Sequence, residues 1–197
     1  TEFLRSWLRV LVRPRTAGGT EVPLSVRQEA DLAQALQGTL ALEPAARRLS
    51  RLIEFLDPTD PEGVQARLAP WCASTGGELA WVFDNAEDAI AGQLSTATLA
   101  GFDVTQFLDS AQLRTPITLY LFHLIRELLD GRRFVCWMDE FWRLIEDPAF
   151  ERFAKDGPKT WRKLNAVLCL ATQSPSDVLD SPLARTLIEQ TPTKVFF

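Results

Sequence analysis

Two apolar runs in the second half of the chain constrain its fold more than any other feature. Residues 132–138 read RRFVCWM and residues 166–172 read AVLCLAT. Strands that are apolar at nearly every position are typical of parallel sheets, in which helices connect the strands and cover both faces. We therefore predict an α/β fold with a mostly parallel sheet.

Shorter patterns predict the remaining elements. Three further strands are expected from apolar runs bounded by turn residues, at 79–83, 99–105 and 193–197. Helices are expected at 2–13, 25–38, 43–56 and 117–129. The second of these helices carries a capping box of Ser25 and Gln28. The chain should thus hold a helical subdomain over residues 1–75 and an α/β core over residues 76–197.

Composition excludes several classes of protein. The 197 residues include 21 Lys and Arg against 26 Asp and Glu, and 46% are hydrophobic, which indicates a folded globular chain. Residues 52–112 hold ten acidic residues and one basic residue, so nucleic acid would have to bind elsewhere. No apolar run approaches the roughly 18 residues of a spanning helix. The cysteines, Cys72, Cys136 and Cys169, have no CxxC spacing, which favours a reducing compartment without a zinc site.

The residues that follow the two long apolar runs suggest chemistry. Asp139 and Glu140 follow the first run. An apolar strand that ends in Asp-Glu is the Walker B arrangement of nucleoside triphosphatases, in which one carboxylate holds the hydration shell of magnesium and the other polarises the attacking water. Such a pair also occurs as a solvated strand end, and this alternative stays open.

Gln173 follows the second run, 34 positions after Asp139. Ligands of parallel sheets bind beyond the carboxyl ends of the strands, so an amide at this point could contact a γ-phosphate or orient water. The alternative is that residues 173–177 only cap and start the next helix. Taken with Asp139 and Glu140, the position favours a nucleotide site.

A phosphate-binding loop of the form GxxxxGK[ST] does not occur in these residues. Residues 157–160 (GPKT) lack the Gly-Lys step, and Pro158 offers no backbone N–H to a phosphate. Since the sequence begins at Thr1 without Met, we expect either that the loop precedes it in a longer polypeptide or that the chain has no ATP site.

Basic residues crowd the segment before the second run, among them Arg162 and Lys163. They could form a solvated helix face, an arginine finger for a neighbouring subunit, or a contact with the DNA backbone. His123, the one histidine in the sequence, is expected to pack in the core.

Seven ordered blocks resemble the type IV secretion system ATPases of the CagE/TrbE/VirB-four type. The blocks are residues 79–85 (LAWVFDN), 101–108 (GFDVTQFL), 114–123 (RTPITLYLFH), 135–142 (VCWMDEFW), 159–165 (KTWRKLN), 171–177 (ATQSPSD) and 188–194 (IEQTPTK). Residues 1–75 match the small all-helical insertion of this family only loosely.

The resemblance implies a RecA-like P-loop motor core that uses ATP and Mg²⁺. It further implies an ATPase on the cytoplasmic face of the bacterial inner membrane that assembles as a hexamer or dimer and contacts other secretion subunits. Its hydrolysis would energise pilus biogenesis and the transfer of DNA or protein. Because the Walker A loop is missing, we expect residues 1–197 alone to be inactive.

The resemblance also assigns roles to residues. Asp139 would bind Mg²⁺ through water, Glu140 would be the catalytic carboxylate, and Gln173 would sense the γ-phosphate. Arg162, with Lys163, would act in trans on a neighbouring subunit.

Three alternatives stay open. A DNA-translocating ATPase of the coupling-protein or FtsK/HerA type shares the fold and the Asp-Glu and Gln positions. A non-catalytic assembly platform of the secretion machine could use the acidic middle of the chain as its interface. A metal-dependent nuclease would require Asp84, Asp103 and Asp139 to converge on metal ions.

Overall fold

A computed structural model describes residues 1–13, 22–145 and 147–196 of the chain. Its contacts divide the chain into two compact units, residues 1–98 and residues 99–197. The predicted domain boundary between residues 75 and 76 stays a prediction.

In its described residues, the first unit contains helices joined by turns and no strand. Its α-helices are α1 (Glu2–Val12), α2 (Val26–Leu40), α3 (Leu49–Leu52), α4 (Val64–Leu68), α5 (Ala80–Phe83) and α6 (Ala89–Leu94). Short 3₁₀ turns lie between them at Pro44–Ala46, Ile53–Phe55, Ala69–Trp71 and Ala73–Thr75. The predicted helix over residues 43–56 is thus broken into short pieces.

Local sequence chemistry accounts for the start of α2. The Ser25 hydroxyl accepts a hydrogen bond from the backbone N–H of Gln28 at 3.2 Å, and the Gln28 side chain accepts one from the Ser25 N–H at 3.0 Å. This confirms the predicted capping box. Leu32, Ala35 and Leu36 face the core as expected.

The second unit packs helices against a small sheet. Its elements are α7 (Thr105–Leu108), α8 (Ala111–Glu127), β1 (Phe134–Met138), α9 (Pro148–Trp161), β2 (Ala166–Leu170), α10 (Pro175–Leu179) and α11 (Ala184–Gln190). 3₁₀ turns follow β1 at Phe141–Leu144 and α9 at Arg162–Leu164. The sequence predicted that α8 starts at Pro116, but the helix begins at Ala111. Ser110 caps this earlier start by accepting a hydrogen bond from the Leu113 N–H.

Strands β1 and β2 pair in parallel, with Phe134 opposite Ala166 and Met138 opposite Leu170. This confirms both predicted strands and their parallel arrangement. The core of the unit includes Phe141, Phe150 and Leu187, with Met138 and Leu170 packed against it. Val135, Trp137 and Val167 are 66%, 70% and 55% exposed, so within this unit the sheet is packed on one face and not on both.

Two of the other predicted strands are wrong. Residues 80–83 form the short helix α5, where the Phe83 ring contacts Trp7 edge-on at a centroid distance of 4.8 Å and lies 5.8 Å from Trp71. A run of five apolar residues fits a helical turn as well as a strand, and packing decided between them. Residues 99–104 form no strand, and Leu99 is 92% exposed.

The last predicted strand, at residues 193–197, is also not observed. Residues 193–196 carry no regular secondary structure, and Phe197 lies outside the described residues. Val195 and Phe196 are largely exposed. The small parallel sheet therefore consists of β1 and β2 in the part of the chain that the structure describes.

Candidate functional site

Backbone hydrogen bonds beyond the strands bring their two carboxyl ends together. The Ala171 N–H donates to the Met138 carbonyl oxygen at 2.9 Å, and the Phe141 N–H donates to the Ala171 carbonyl oxygen at 3.3 Å. The pairing of β1 with β2 therefore extends into the turn that holds Asp139 and Glu140. Residues directly after each strand are fixed side by side.

Glu140 occupies an unusual backbone conformation in this turn. Its φ and ψ angles are 49° and 34°, in the left-handed region, which costs a residue with a side chain about 1 kcal/mol. The Asp139 carboxylate stabilises the turn by accepting a hydrogen bond from the Glu140 N–H at 2.9 Å. The Asp139 side chain is exposed, and Glu140 is half-buried.

Gln173 contacts Glu140 directly. Its amide nitrogen Nε2 donates to Oε1 of Glu140 at 3.0 Å, across 33 positions of sequence. The following helix α10 is capped by Ser174, whose hydroxyl accepts a hydrogen bond from the Ser176 N–H. Capping is therefore performed by the neighbouring residue, and the side chain of Gln173 is directed to the carboxylate after β1.

A cleft of about 360 Å³ adjoins the 3₁₀ turn that follows Glu140. Leu108 and Ile145 form the apolar part of its lining. The rest of the lining includes two arginines, two aspartates and a tryptophan, which are Arg114, Arg143, Asp109, Asp177 and Trp142. Arg143 forms an ion pair with Asp109. The sequence assigned none of these residues a role in the site, although Arg143 and Asp177 follow Glu140 and Gln173 by three and four positions.

Hydrogen bonds to side chains hold the elements around this cleft. Thr172 donates its hydroxyl to Oδ2 of Asp177 at 2.8 Å, which fixes the turn from β2 into α10. The buried Thr115 donates to Oδ2 of the buried Asp147 at 2.7 Å, which links α8 to the start of α9. The first contact thus lies in the segment that follows Gln173, and the second joins two helices of the same unit.

Arg162 and Lys163 lie at the other end of the sheet. Both are exposed in the 3₁₀ turn that precedes β2, whereas Gln173 follows β2. Five strand residues at about 3.3 Å each separate the two ends by about 16 Å. Within one chain these cations therefore do not join Glu140 and Gln173. Arg152 and Lys159, from the same basic segment, have side chains outside the described part.

Two further features that the sequence suggested, residues 157–160 and His123, lie on helices of the second unit. Residues 157–160 lie within helix α9, which agrees with their exclusion as a phosphate loop. His123 is half-buried on α8, with Nδ1 3.9 Å from Oε1 of Glu127.

The nuclease alternative gains no support from its carboxylates. The buried Asp84 accepts hydrogen bonds from the backbone N–H groups of Ser50 at 2.9 Å and Ala73 at 2.7 Å, and from the Ser50 hydroxyl. Asp103 accepts one from the Thr105 N–H in an exposed turn. Across residues 1–13, 22–145 and 147–196, no three His, Cys, Asp or Glu side chains are grouped to hold a metal.

Burial makes two of the cysteines poor nucleophiles. It raises the pKa of the Cys136 thiol in β1 to about 11, with a smaller contribution from Cys169. The pKa of Cys72 is raised to about 12, by burial first and by the Asp84 carboxylate second. Both thiols are therefore mostly protonated near neutral pH, and the protonated thiol is a weak nucleophile.

Comparisons with known proteins place the chain among secretion proteins. It is 45% identical over 195 residues to the type IV secretion system protein virB4 of Bartonella henselae, covering 99% of this chain and 24% of that protein. It is 40% identical over 200 residues to the type IV secretion system protein PtlC of Bordetella pertussis, covering 98% of this chain and 23% of that protein. No protein family profile matches.

A solved structure agrees with the fold. VirB4 of Thermoanaerobacter pseudethanolicus superposes with a TM-score of 0.56 at 17% identity, over 95% of this chain and 70% of that one. At this identity the likeness concerns the fold alone. In the described residues, no helix has the length and apolar character needed to cross a membrane.

The matches cover nearly all of this chain but only part of each relative. The chain spans about a quarter of the length of the curated relatives. Identities of 40–45% over 98–99% of its own length extend across both units. This chain therefore belongs, as a segment about a quarter of their length, to the VirB4 family of type IV secretion system proteins.

Proposed function

We propose that this chain contributes the hydrolytic carboxylate and the γ-phosphate sensor of a type IV secretion ATPase. The observation that carries the proposal is the contact between Gln173 and Glu140 beyond the carboxyl ends of two adjacent parallel strands. Ligands of parallel α/β sheets bind at this edge. A carboxylate and an amide that meet there suit a polyphosphate and an attacking water.

Each of the three residues has a distinct role in the proposal. Glu140 would accept a proton from the water that attacks the γ-phosphate. Gln173 would donate its amide N–H to a γ-phosphate oxygen. Asp139 has one oxygen bound to the Glu140 N–H, and its exposed carboxylate would hold magnesium through water, which suits a cation that prefers oxygen ligands. Magnesium bound with the nucleotide would neutralise charge on the phosphates.

The sheet is proposed to be part of a larger RecA-like sheet in the complete protein. A two-stranded sheet is marginal by itself, and parallel strands are normally covered on both faces. Val135, Trp137 and Val167 supply an apolar second face that is exposed here. A loop that cradles the phosphates would come from outside residues 1–197, since the motif is absent from them.

Arg162 is proposed to act on the nucleotide of a neighbouring subunit, together with Lys163. Its position at the amino end of β2 separates it from Glu140 of its own chain, and its exposure leaves it accessible to a second copy. The complete protein would accordingly form a homo-oligomer, a hexamer or a dimer. It would act with other secretion subunits at the cytoplasmic face of the inner membrane and energise pilus assembly and the transfer of DNA or protein.

Hydrolysis of Mg-ATP by the complete protein tests the proposal through Asp139. Replacement Asp139→Asn should weaken magnesium-dependent nucleotide binding and lower turnover by about 10² or more, because charge on the phosphates is then poorly neutralised. Asp103→Asn is a matched control, since Asp103 is an exposed carboxylate in a turn of the same unit. Equal turnover of the two variants would refute the proposed site.

A further inference from the structure

The side-chain amide of Gln173 already donates a hydrogen bond to Glu140, so a phosphate oxygen would compete with that contact. A carboxylate only accepts hydrogen bonds, so the amide must turn its nitrogen toward Glu140, as it does at 3.0 Å. The same NH₂ group is the donor that the proposed function assigns to the γ-phosphate. The two acceptors therefore compete for one side chain.

Like charge makes this competition strong. The amide nitrogen carries two hydrogens, and serving both acceptors would bring the Glu140 carboxylate and a phosphate oxygen within about 5 Å, where two negative charges repel. One acceptor should then displace the other. Binding of a γ-phosphate to Gln173 would release the carboxylate of Glu140.

The backbone around Glu140 restricts how this release can occur. Pairing of Ala171 with Met138 and Phe141 holds the turn from both sides, and Asp139 holds the Glu140 N–H. The turn is thus fixed, while the Glu140 side chain is half-buried and Gln173 is exposed. Release would be a rotation of side chains and not a movement of the loop.

We infer that Gln173 is a positioning residue that restrains Glu140 until a γ-phosphate takes over its amide. This inference rests on the proposed function and adds regulation to the same site. Without a γ-phosphate, the Glu140 carboxylate is held toward the end of β2. With one, the carboxylate becomes able to face the attacking water. The presence of the γ-phosphate is thereby coupled to the readiness of the catalytic carboxylate.

Nucleotide binding to the complete protein tests this restraint. Dissociation constants for ADP and for the slowly hydrolysed analogue ATPγS, each with Mg²⁺, are measured by calorimetry for wild type, Glu140→Ala, Gln173→Met and the double variant. In the presence of Gln173, Glu140→Ala should raise the preference for ATPγS over ADP by about three- to tenfold more than it does in the Gln173→Met background, the range expected from the net contribution of a typical hydrogen bond. The change caused by lost charge alone appears in both backgrounds and cancels.

Control variants and outcomes separate the restraint from the proposed function. Glu189→Ala removes an exposed carboxylate that is paired with Arg185 on α11, and it should leave the preference unchanged. An identical effect of Glu140→Ala with and without Gln173 would overturn the restraint while leaving the nucleotide site intact. A wild-type protein that binds neither nucleotide would overturn both.

Discussion

Asn165 donates its side-chain amide to the carbonyl oxygen of Gly131 at 2.8 Å and thereby joins the loops that lead into β2 and β1. Gln173 and Glu140 make the corresponding link where the same strands end. The sheet is thus tied by one side-chain amide at each end. Asn165 also occupies the left-handed region, with a φ of 56°, which asparagine tolerates better than most residues.

Asn165→Ala should lower the free energy of unfolding by about 1–2 kcal/mol, because it removes the hydrogen bond and places a Cβ without a polar side chain in the left-handed region. Asn165→Gly loses the bond but relieves the backbone, so its loss should be smaller. Urea denaturation of both variants measures the difference. A larger loss for the glycine variant would show that the left-handed backbone is not a source of strain.

Asp84→Ala should destabilise the first unit by about 3 kcal/mol or more, since it leaves the N–H groups of Ser50 and Ala73 without their buried acceptor. Asp103→Ala is the comparison, because this exposed aspartate forms its hydrogen bonds with Thr105 in a local turn, and its loss should cost less than about 1 kcal/mol. Thermal unfolding compares the two. Similar shifts in Tm would contradict the structural role of Asp84.

Cys136 should react slowly with iodoacetamide in the folded protein. With a pKa of about 11, its thiolate fraction at pH 8 is about 10⁻³, roughly 100-fold below that of an unperturbed thiol with a pKa near 9. The raised pKa also means that unfolding releases a proton between about pH 9 and 11, so stability falls as the pH rises through this interval. Peptide mapping after alkylation measures the rate. Rapid labelling of Cys136 at pH 8 without unfolding would contradict its burial.

Arg162→Ala in the complete protein should abolish turnover and leave nucleotide binding nearly intact, an effect of about 10³ or more for an arginine finger. Mixing it with Glu140→Gln subunits should restore part of the activity, because some interfaces then pair an intact Arg162 with an intact Glu140. Lys155→Ala, on the exposed surface of α9 where Lys155 pairs with Glu151, is the control and should retain activity. Failure to recover activity at any mixing ratio would contradict action in trans.

Local chemistry and strand ends could be predicted from the sequence. The capping box of Ser25 and Gln28 depends on residues three positions apart, so no tertiary information was required. Strands β1 and β2 were predictable because their apolar runs are rich in residues that favour strands. The approach of Glu140 and Gln173 followed from the parallel pairing, since parallel strands end at the same edge.

Features set by distant packing could not be predicted. Residues 80–83 are helical because Phe83 packs on Trp7 and Trp71, and a short apolar run does not contain that information. The left-handed conformation of Glu140 is likewise a property of the turn, held by bonds from Ala171 and Phe141 to neighbouring strand ends. The cleft beside it depends on Arg143 meeting Asp109, 34 positions away.

Turnover and binding by the Glu140→Gln variant of the complete protein test the central claim most directly. The substitution keeps the size and hydrogen-bonding capacity of the side chain and removes the charge that accepts the proton. We predict that Mg-ATP still binds with near wild-type affinity while hydrolysis falls by about 10² or more. Hydrolysis at a near wild-type rate would contradict the assignment of Glu140 as the catalytic carboxylate and favour a solvated pair of acids at a strand end.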